Sequence, residues 1–132
     1  MIDEPVAKVW EAYTNPKHIT QWNHASDDWH SPRAENDLRV GGRFASRMEA
    51  KDGSIGFDFG GVYTEVVLNE KIAYTMDGED KRNVTVIFEK VFESTAVTVT
   101  FDAETKNSLE MQKGGWQSIL NNFKEYVEKL KL

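Results

Sequence analysis

A chain of 132 residues lies within the size range of one domain and is long enough to bury an apolar core. Its formal net charge of -6 disfavours a nucleic acid partner, because an acidic molecule repels a phosphate backbone. The absence of Cys excludes disulfides, thiolate metal sites and a Cys nucleophile, and we expect a cytoplasmic protein. No apolar run approaches the roughly 20 residues of a membrane span, so we expect no membrane partner.

Residues 5–22 predict two short helices. The first carries an apolar stripe whose members recur three and four residues apart: Val6, Val9, Trp10 and Tyr13. Asn15 is a good N-cap and Pro16 is preset for the first helical position, which predicts a second helix as far as residue 22. Residues 23–37 have no sustained apolar period and contain Asp, His and Pro, which predicts a long loop.

From residue 38 the apolar period changes to two, which predicts an antiparallel meander of five strands. These patterns lie within residues 38–49, 55–68, 72–76, 84–89 and 97–101. In the second strand the apolar parity slips after Gly60-Gly61, and we expect a bulge at these glycines. Gly41-Gly42 predicts a bend in the first strand rather than a phosphate cradle, because no helix begins after it.

Residues 107–131 predict a long amphipathic helix. Asn107 is a candidate N-cap and Glu110 follows three residues later, which is the spacing of a capping box. The apolar face recurs at three and four residues: Trp116, Ile119, Leu120, Phe123, Val127 and Leu130. At about 1.5 Å per residue this helix is long enough to cross a whole sheet, which indicates a two-layer α+β domain.

Five stretches of this sequence together resemble those of a known family. They are Pro5-Val6-x-x-Val9-Trp10, Thr14-Asn15-Pro16-x-His18-Ile19-x-x-Trp22, the run from Trp29-His30 through Gly41-Gly42, Gly61-Val62-Tyr63-Thr64-Glu65, and Gly115-Trp116. Over nearly its whole length the chain resembles bacterial homologues of the activator of heat-shock-protein-90 ATPase, within the START-like (SRPBCC) helix-grip superfamily. The resemblance implies that residues 1–132 form one START-like ligand-binding domain, in which a curved antiparallel sheet grips the last helix and encloses a cavity.

The rings and this resemblance favour non-catalytic binding of a small hydrophobic or amphipathic molecule in that cavity. The candidate ligand-binding residues are Trp22, Trp29, Phe44, Met48, Phe57, Phe59, Tyr63, Tyr74, Met76, Phe88, Trp116 and Leu120. Gly114-Gly115 is unfavourable inside a helix, and we expect the missing side chains to leave room for the cavity; a kink of the helix without a functional role is the alternative.

Two other functions stay open. The family name implies a co-chaperone that activates a heat-shock-protein-90-like ATPase in the stress response. Chaperone activators of that type carry an additional N-terminal domain, for which this chain has no room. The second alternative is a hydrolase or cyclase that uses the same cavity, as START-like relatives can be.

Neither a metal nor a cofactor is expected. Imidazoles and carboxylates occur at His18, His24, Asp27, Asp28 and His30, but neither His pair has the i, i+4 spacing of a helical metal site. No nucleophile, P-loop or dinucleotide motif occurs, so we assign no catalytic residue. Glu65 is a candidate general base, against which a solvent-facing Glu is the favoured alternative.

Similar proteins begin with a strand before the first helix, whereas only Met1-Ile2-Asp3 precede it in this sequence. We therefore expect the first strand to be cut short or absent. By analogy with the family, this would leave the last strand, Ala96 to Asp102, at an open edge of the sheet with unpaired backbone groups.

We predict that this edge makes the protein form homodimers or lowers its solubility. The last strand contains no Pro or Lys, so it lacks the usual protection against edge pairing. Analytical ultracentrifugation over a wide concentration range measures the association. A strictly monomeric species from micromolar to millimolar protein would contradict the prediction.

Overall fold

A computed structural model describes residues 1–24, 27–77, 81–103 and 108–130. Three helices and six strands follow one another along the chain. They are α1 (Val6–Thr14), α2 (Pro16–Trp22), β1 (Trp29–Asn36), β2 (Arg43–Ala50), β3 (Gly56–Val67), β4 (Lys71–Met76), β5 (Asn83–Val91), β6 (Ser94–Phe101) and α3 (Leu109–Lys129).

The six strands form a single antiparallel sheet in which every strand pairs with its neighbours in sequence, in the order β1-β2-β3-β4-β5-β6. The sheet is curled into a half-barrel, and the long C-terminal helix α3 completes the fold. This is the α+β helix-grip fold predicted from the sequence. The two short N-terminal helices are also confirmed, and the Asn15 side chain caps α2 by accepting a hydrogen bond from the Lys17 N–H.

The segment predicted as a long loop contains a strand, β1, so that part of the prediction was wrong. β1 pairs with β2 and forms one edge of the sheet. Its register shifts between His30 and Arg33, across Ser31 and Pro32. Proline lacks the N–H that a ladder requires and is tolerated at sheet edges and bulges. The polar sequence of β1 therefore has no apolar alternation that would reveal a strand.

Gly41 and Gly42 lie in the turn between β1 and β2, not in a bend of the first predicted strand. Gly41 has a φ of 83°, a conformation that favours glycine. A Cβ atom at Gly42 would collide with the carbonyl oxygen of Asp37. Both glycines thus serve the turn, and β2 begins only at Arg43.

The parity slip expected in β3 is present, but it occurs later than Gly60-Gly61. The register of β3 with β4 shifts between Tyr63 and Glu65, which leaves Thr64 as the extra residue. Gly61 is instead a point of close approach, since a Cβ there would collide with the carbonyl oxygen of Thr75. The expected position of the bulge was therefore wrong.

The N-cap of α3 lies one residue after the expected one. Ser108 is the N-cap, and its Oγ accepts a hydrogen bond of 3.1 Å from the Met111 N–H. The candidate cap Asn107 lies outside the described residues. Among the helices that the structure describes, none is both long and apolar enough to cross a membrane.

An aromatic cluster of five rings joins the helices to the sheet. Its members are Trp10, Tyr13, Trp22, Phe88 and Phe123. Phe123 is fully buried, and its ring centroid lies 5.2 Å from that of Tyr13 and 4.7 Å from that of Trp22. On the sheet side, Phe88 lies 5.2 Å from Trp10 and 5.4 Å from Tyr13. The cluster therefore fixes the C-terminal half of α3.

The start of the chain pairs with β6 through a single antiparallel bridge. Ile2 and Thr95 exchange two backbone hydrogen bonds of 2.8 Å each, and the Ile2 side chain is buried. Among the described residues, no strand pairs with the outer edge of β6 over residues 96–101.

We predict that Phe123→Ala lowers the free energy of unfolding by about 3–5 kcal/mol, because the fully buried ring leaves a cavity behind. Urea unfolding monitored by Trp fluorescence measures the change. Glu125→Ala, on the exposed face of the same helix, serves as the control and should change stability by about 0.5 kcal/mol or less. A loss below about 1 kcal/mol for Phe123→Ala would contradict the described packing.

Candidate functional site

A cavity of about 350 Å³ lies between the concave face of the sheet and α3. Its volume falls within the range of roughly 300–1,000 Å³ typical of small-molecule pockets. The walls come from α1, α2, β1, β2, β3, β4 and α3, together with the segment just before β5. The backbone of α3 approaches α1 and α2 and stays further from the strands, which leaves this space open.

Ten of the twelve residues named from the sequence line the cavity. They are Trp22, Phe44, Met48, Phe57, Phe59, Tyr63, Tyr74, Met76, Trp116 and Leu120. Their convergence follows from the strand period of two and the helical spacing of three and four, which direct alternate strand residues and one helix face inward.

The other two residues, Trp29 and Phe88, do not line this cavity. Phe88 is 3% exposed, and its ring packs against Trp10 and Tyr13 in the aromatic cluster. Trp29 lies at the start of β1, where its ring is 5.9 Å from that of Phe57.

Sequence reasoning missed part of the wall. The missed residues are Tyr13, Thr14, Ile19, Asn23, Glu35, Ser46, Ile72, Arg82, Met111, Gln112 and Ile119. The sequence does indicate inward-facing positions for Tyr13 and Ile19, because both recur with the apolar residues of the N-terminal helices. For the polar residues the sequence offers no signal, because their place in the wall depends on how the elements pack.

One face of α3 forms the roof of the cavity. Its members are Met111, Gln112, Gly115, Trp116, Ile119 and Leu120. Trp116 connects this roof to two strands: its ring lies 6.2 Å from Phe59 of β3 and stacks at 5.3 Å on Phe101 of β6. Aromatic pairs at these separations stabilise by about 0.5–1.5 kcal/mol beyond their burial.

The two adjacent glycines of α3 differ in position. Gly115 lines the cavity, and a Cβ added to it would have no atom within 4 Å. Gly114 is exposed and does not belong to the wall. Of the pair expected to leave room for the cavity, only Gly115 borders it.

Exposed apolar side chains mark the mouth of the cavity. Phe57 and Met111 both line it, yet they are 49% and 65% exposed. Ile55 and Leu109, which lie two residues from them along the chain, are 60% and 69% exposed. The mouth therefore lies between the start of β3 and the first turn of α3.

Tyr63 belongs to a polar chain in the wall. Its hydroxyl donates a hydrogen bond of 2.6 Å to Asn36 Oδ1, and Asn36 Nδ2 donates one of 2.6 Å to the carbonyl oxygen of Thr14. Burial raises the pKa of Tyr63, and the hydrogen bond to Asn36 opposes that rise. The chain links β3, β1 and α1 at the cavity wall.

Tyr13 and Tyr74 also line the cavity. Burial raises the pKa of both phenols, and the nearby Tyr63 adds to the rise in each. For Tyr74, Tyr13 raises the pKa further. Both hydroxyls are thus neutral at physiological pH and able to donate a hydrogen bond.

Glu65 is engaged away from this cavity. Its carboxylate forms an ion pair of 3.1 Å with Lys71, its side chain is 46% exposed, and it does not line the wall. This environment matches the solvent-facing alternative considered for Glu65 rather than a buried general base.

The histidines do not assemble into a metal centre in the part of the chain described. His18 Nδ1 lies 2.6 Å from the Tyr126 hydroxyl, and His30 belongs to β1. Within the described ranges, no group of three or more His, Asp or Glu side chains is placed to hold a metal ion.

Comparisons with known proteins agree on the fold. A solved structure of an AHSA1-like protein from Aeromonas hydrophila has 47% sequence identity and a TM-score of 0.90, covering 96% of this chain and 87% of that one. A structure from Cytophaga hutchinsonii has 46% identity and a TM-score of 0.81, with the same coverages of 96% and 87%. A more distant protein from Nitrosomonas europaea, at 21% identity, a TM-score of 0.82 and coverages of 97% and 90%, shares the fold.

A comparison with curated proteins gave no significant match. The sequence model of the family described as Activator of Hsp90 ATPase homolog 1-like protein, in contrast, matches residues 3–128. This match spans almost the whole chain, and it agrees with the helix-grip fold and with the resemblance noted in the sequence. The chain belongs to the Activator of Hsp90 ATPase homolog 1-like family.

Proposed function

We propose that this protein binds a small hydrophobic or amphipathic molecule, without catalysis, in the cavity between the sheet and α3. The observation that carries the proposal is a space of about 350 Å³ enclosed by aromatic and aliphatic side chains with a few polar groups. Small-molecule sites have this composition. An exposed apolar mouth at Phe57 and Met111 supports access of a ligand from outside.

The open space above Gly115 supports a binding cavity over a filled core. Protein interiors are close-packed, and side chains normally fill gaps of this size. Glycine in a helix interior is less favourable than alanine by about 1 kcal/mol, so a glycine that borders the void is a position where a larger residue would reduce it.

Catalysis in the same cavity has less support. The hydrolase or cyclase alternative needs a nucleophile or general base held by a second group. Tyr13, Tyr63 and Tyr74 are neutral phenols whose pKa values are raised, which makes each a poor base. The carboxylate of Glu35 in the wall is exposed.

We predict that Gly115→Leu lowers the uptake of an apolar reporter dye at least about tenfold, because the new side chain enters the cavity. Gly114→Leu is the matched control: leucine favours the helix equally at both positions, but at 114 it faces solvent. Dye fluorescence titration at equal folded fraction measures the uptake. If the parent takes up no dye, or if both variants bind it as the parent does, the proposed cavity function is contradicted.

A co-chaperone role is the second candidate, favoured by the family description and by one surface feature. Val40, Leu68 and Phe92 are 64%, 70% and 91% exposed. They lie in the turns β1–β2, β3–β4 and β5–β6, which a meander places at one end of the sheet, opposite the cavity mouth. Exposed apolar side chains gathered at one end are typical of a protein interaction site.

This second role predicts stimulation of the ATPase of a heat-shock-protein-90-type chaperone. Phe92→Ser should reduce the stimulation at least about threefold, since large rings dominate interface energies. Gly115→Leu, which alters only the cavity side, should keep it. Absence of stimulation by the parent protein in a coupled ATPase assay would contradict the co-chaperone role.

A further inference from the structure

The polar groups in the cavity wall differ in whether they already donate hydrogen bonds within the protein. Thr14 Oγ1 donates to the Trp10 carbonyl oxygen at 2.8 Å, and Trp22 Nε1 donates to the Ala12 carbonyl oxygen at 2.9 Å. Tyr63 donates to Asn36. These donors are satisfied within the protein and have no proton left for a ligand.

The hydroxyls of Tyr13 and Tyr74 differ from them. Among the hydrogen bonds of the described residues, none involves either hydroxyl, although the residue Tyr74 is 5% exposed and both side chains line the cavity. Each phenolic O–H therefore keeps its proton for an acceptor that a ligand brings into the cavity.

Tyr13 and Tyr74 border the same cavity, from α1 and β4 respectively. The Tyr13 phenol raises the pKa of Tyr74, and both respond to Tyr63. Tyr13 belongs to the aromatic cluster, which closes the inner end of the cavity, whereas Phe57 and Met111 stand at the mouth. The two hydroxyls thus offer hydrogen-bond donors in a largely apolar space.

The surroundings of these hydroxyls disfavour a negative charge. The pKa values of both phenols are raised, chiefly by burial, and Arg82, which lines the same cavity, lowers neither of them. A carboxylate at the same place would lose its hydration without gaining an ionic partner. A neutral carbonyl oxygen loses much less hydration free energy, and a hydrogen bond from a phenol compensates for it.

We propose that Tyr13 and Tyr74 bind the neutral carbonyl oxygen of an amphipathic ligand, a ketone, ester or amide, whose apolar part extends toward the mouth. This inference rests on the proposed binding function and names the chemical class of its ligand. A carbonyl oxygen has two lone pairs and accepts a hydrogen bond from either phenolic O–H. Trp116, Phe59 and Met76 would then contact the apolar part.

Three probes of equal chain length test the proposal: octan-2-one, octane and octanoate, each measured by displacement of the reporter dye. The parent should bind octan-2-one about tenfold more tightly than octane, which corresponds to about 1.4 kcal/mol. Octanoate should bind more weakly than octan-2-one. In the double variant Tyr13→Phe, Tyr74→Phe the preference for the ketone should disappear, while the affinity for octane stays unchanged.

Tyr126→Phe is the control, because it removes a hydroxyl that lies outside the cavity and pairs with His18. It should keep the preference for the ketone. Thermal unfolding of each variant verifies that the comparison uses folded protein; the single variants Tyr13→Phe and Tyr74→Phe replace the double variant if that one does not fold.

The outcomes separate this inference from the function on which it rests. If octane and octan-2-one bind the parent equally, or if the phenylalanine variants keep the preference, the hydroxyl pair is not the acceptor site and the cavity function stands. Octanoate binding as tight as the ketone would overturn the neutral class. If none of the probes displaces the dye and the dye itself is not taken up, both proposals fail.

Discussion

The contact of Phe123 with Tyr13 and Trp22 determines the position of α3, and the cavity depends on that position. Because this ring is buried between α1 and α2, the C-terminal half of the helix is fixed against the other helices rather than against the strands. The N-terminal half then extends over the curled sheet at a distance. Trp116 bridges that distance by contacting Phe59 and Phe101. One tightly packed end and one bridged end therefore enclose a space that neither a flat sheet nor a shorter helix would leave.

The same aromatic side chains serve stability and the candidate site. Tyr13 and Trp22 pack on Phe123 through their rings, and they also face the cavity. The Tyr63 hydroxyl connects to Asn36 and so ties β3 to β1, while its ring lies in the wall. Wall positions held by such contacts are rigid, which favours a preformed site over one that must order itself around a ligand.

The sequence predicted the architecture well where the apolar period was strong. The period of two located five strands, and the spacing of three and four located the buried face of α3 with Phe123 and Val127. It did not reveal β1, because an edge strand containing Pro32 needs no apolar alternation. It also misplaced the bulge, since glycine marks both bulges and close approaches, and at Gly61 the second reason applies. Most of the aromatic wall was predicted from residue type and parity, whereas its polar members depend on packing between elements distant in sequence.

The connectivity of the sheet has a consequence for the order in which this protein folds. Every strand pairs with its neighbour in sequence, so the ladders close short loops and the contact order of the sheet is low. The N-terminal segment, in contrast, makes contacts with residues far away in the sequence. Ile2 pairs with Thr95, and the Asp3 N–H donates a hydrogen bond of 3.0 Å to Glu128. We therefore expect the hairpins to form early and α1 to join α3 last. On this expectation the cavity is complete only late in folding, and a ligand of the kind proposed would stabilise the finished molecule rather than guide its assembly.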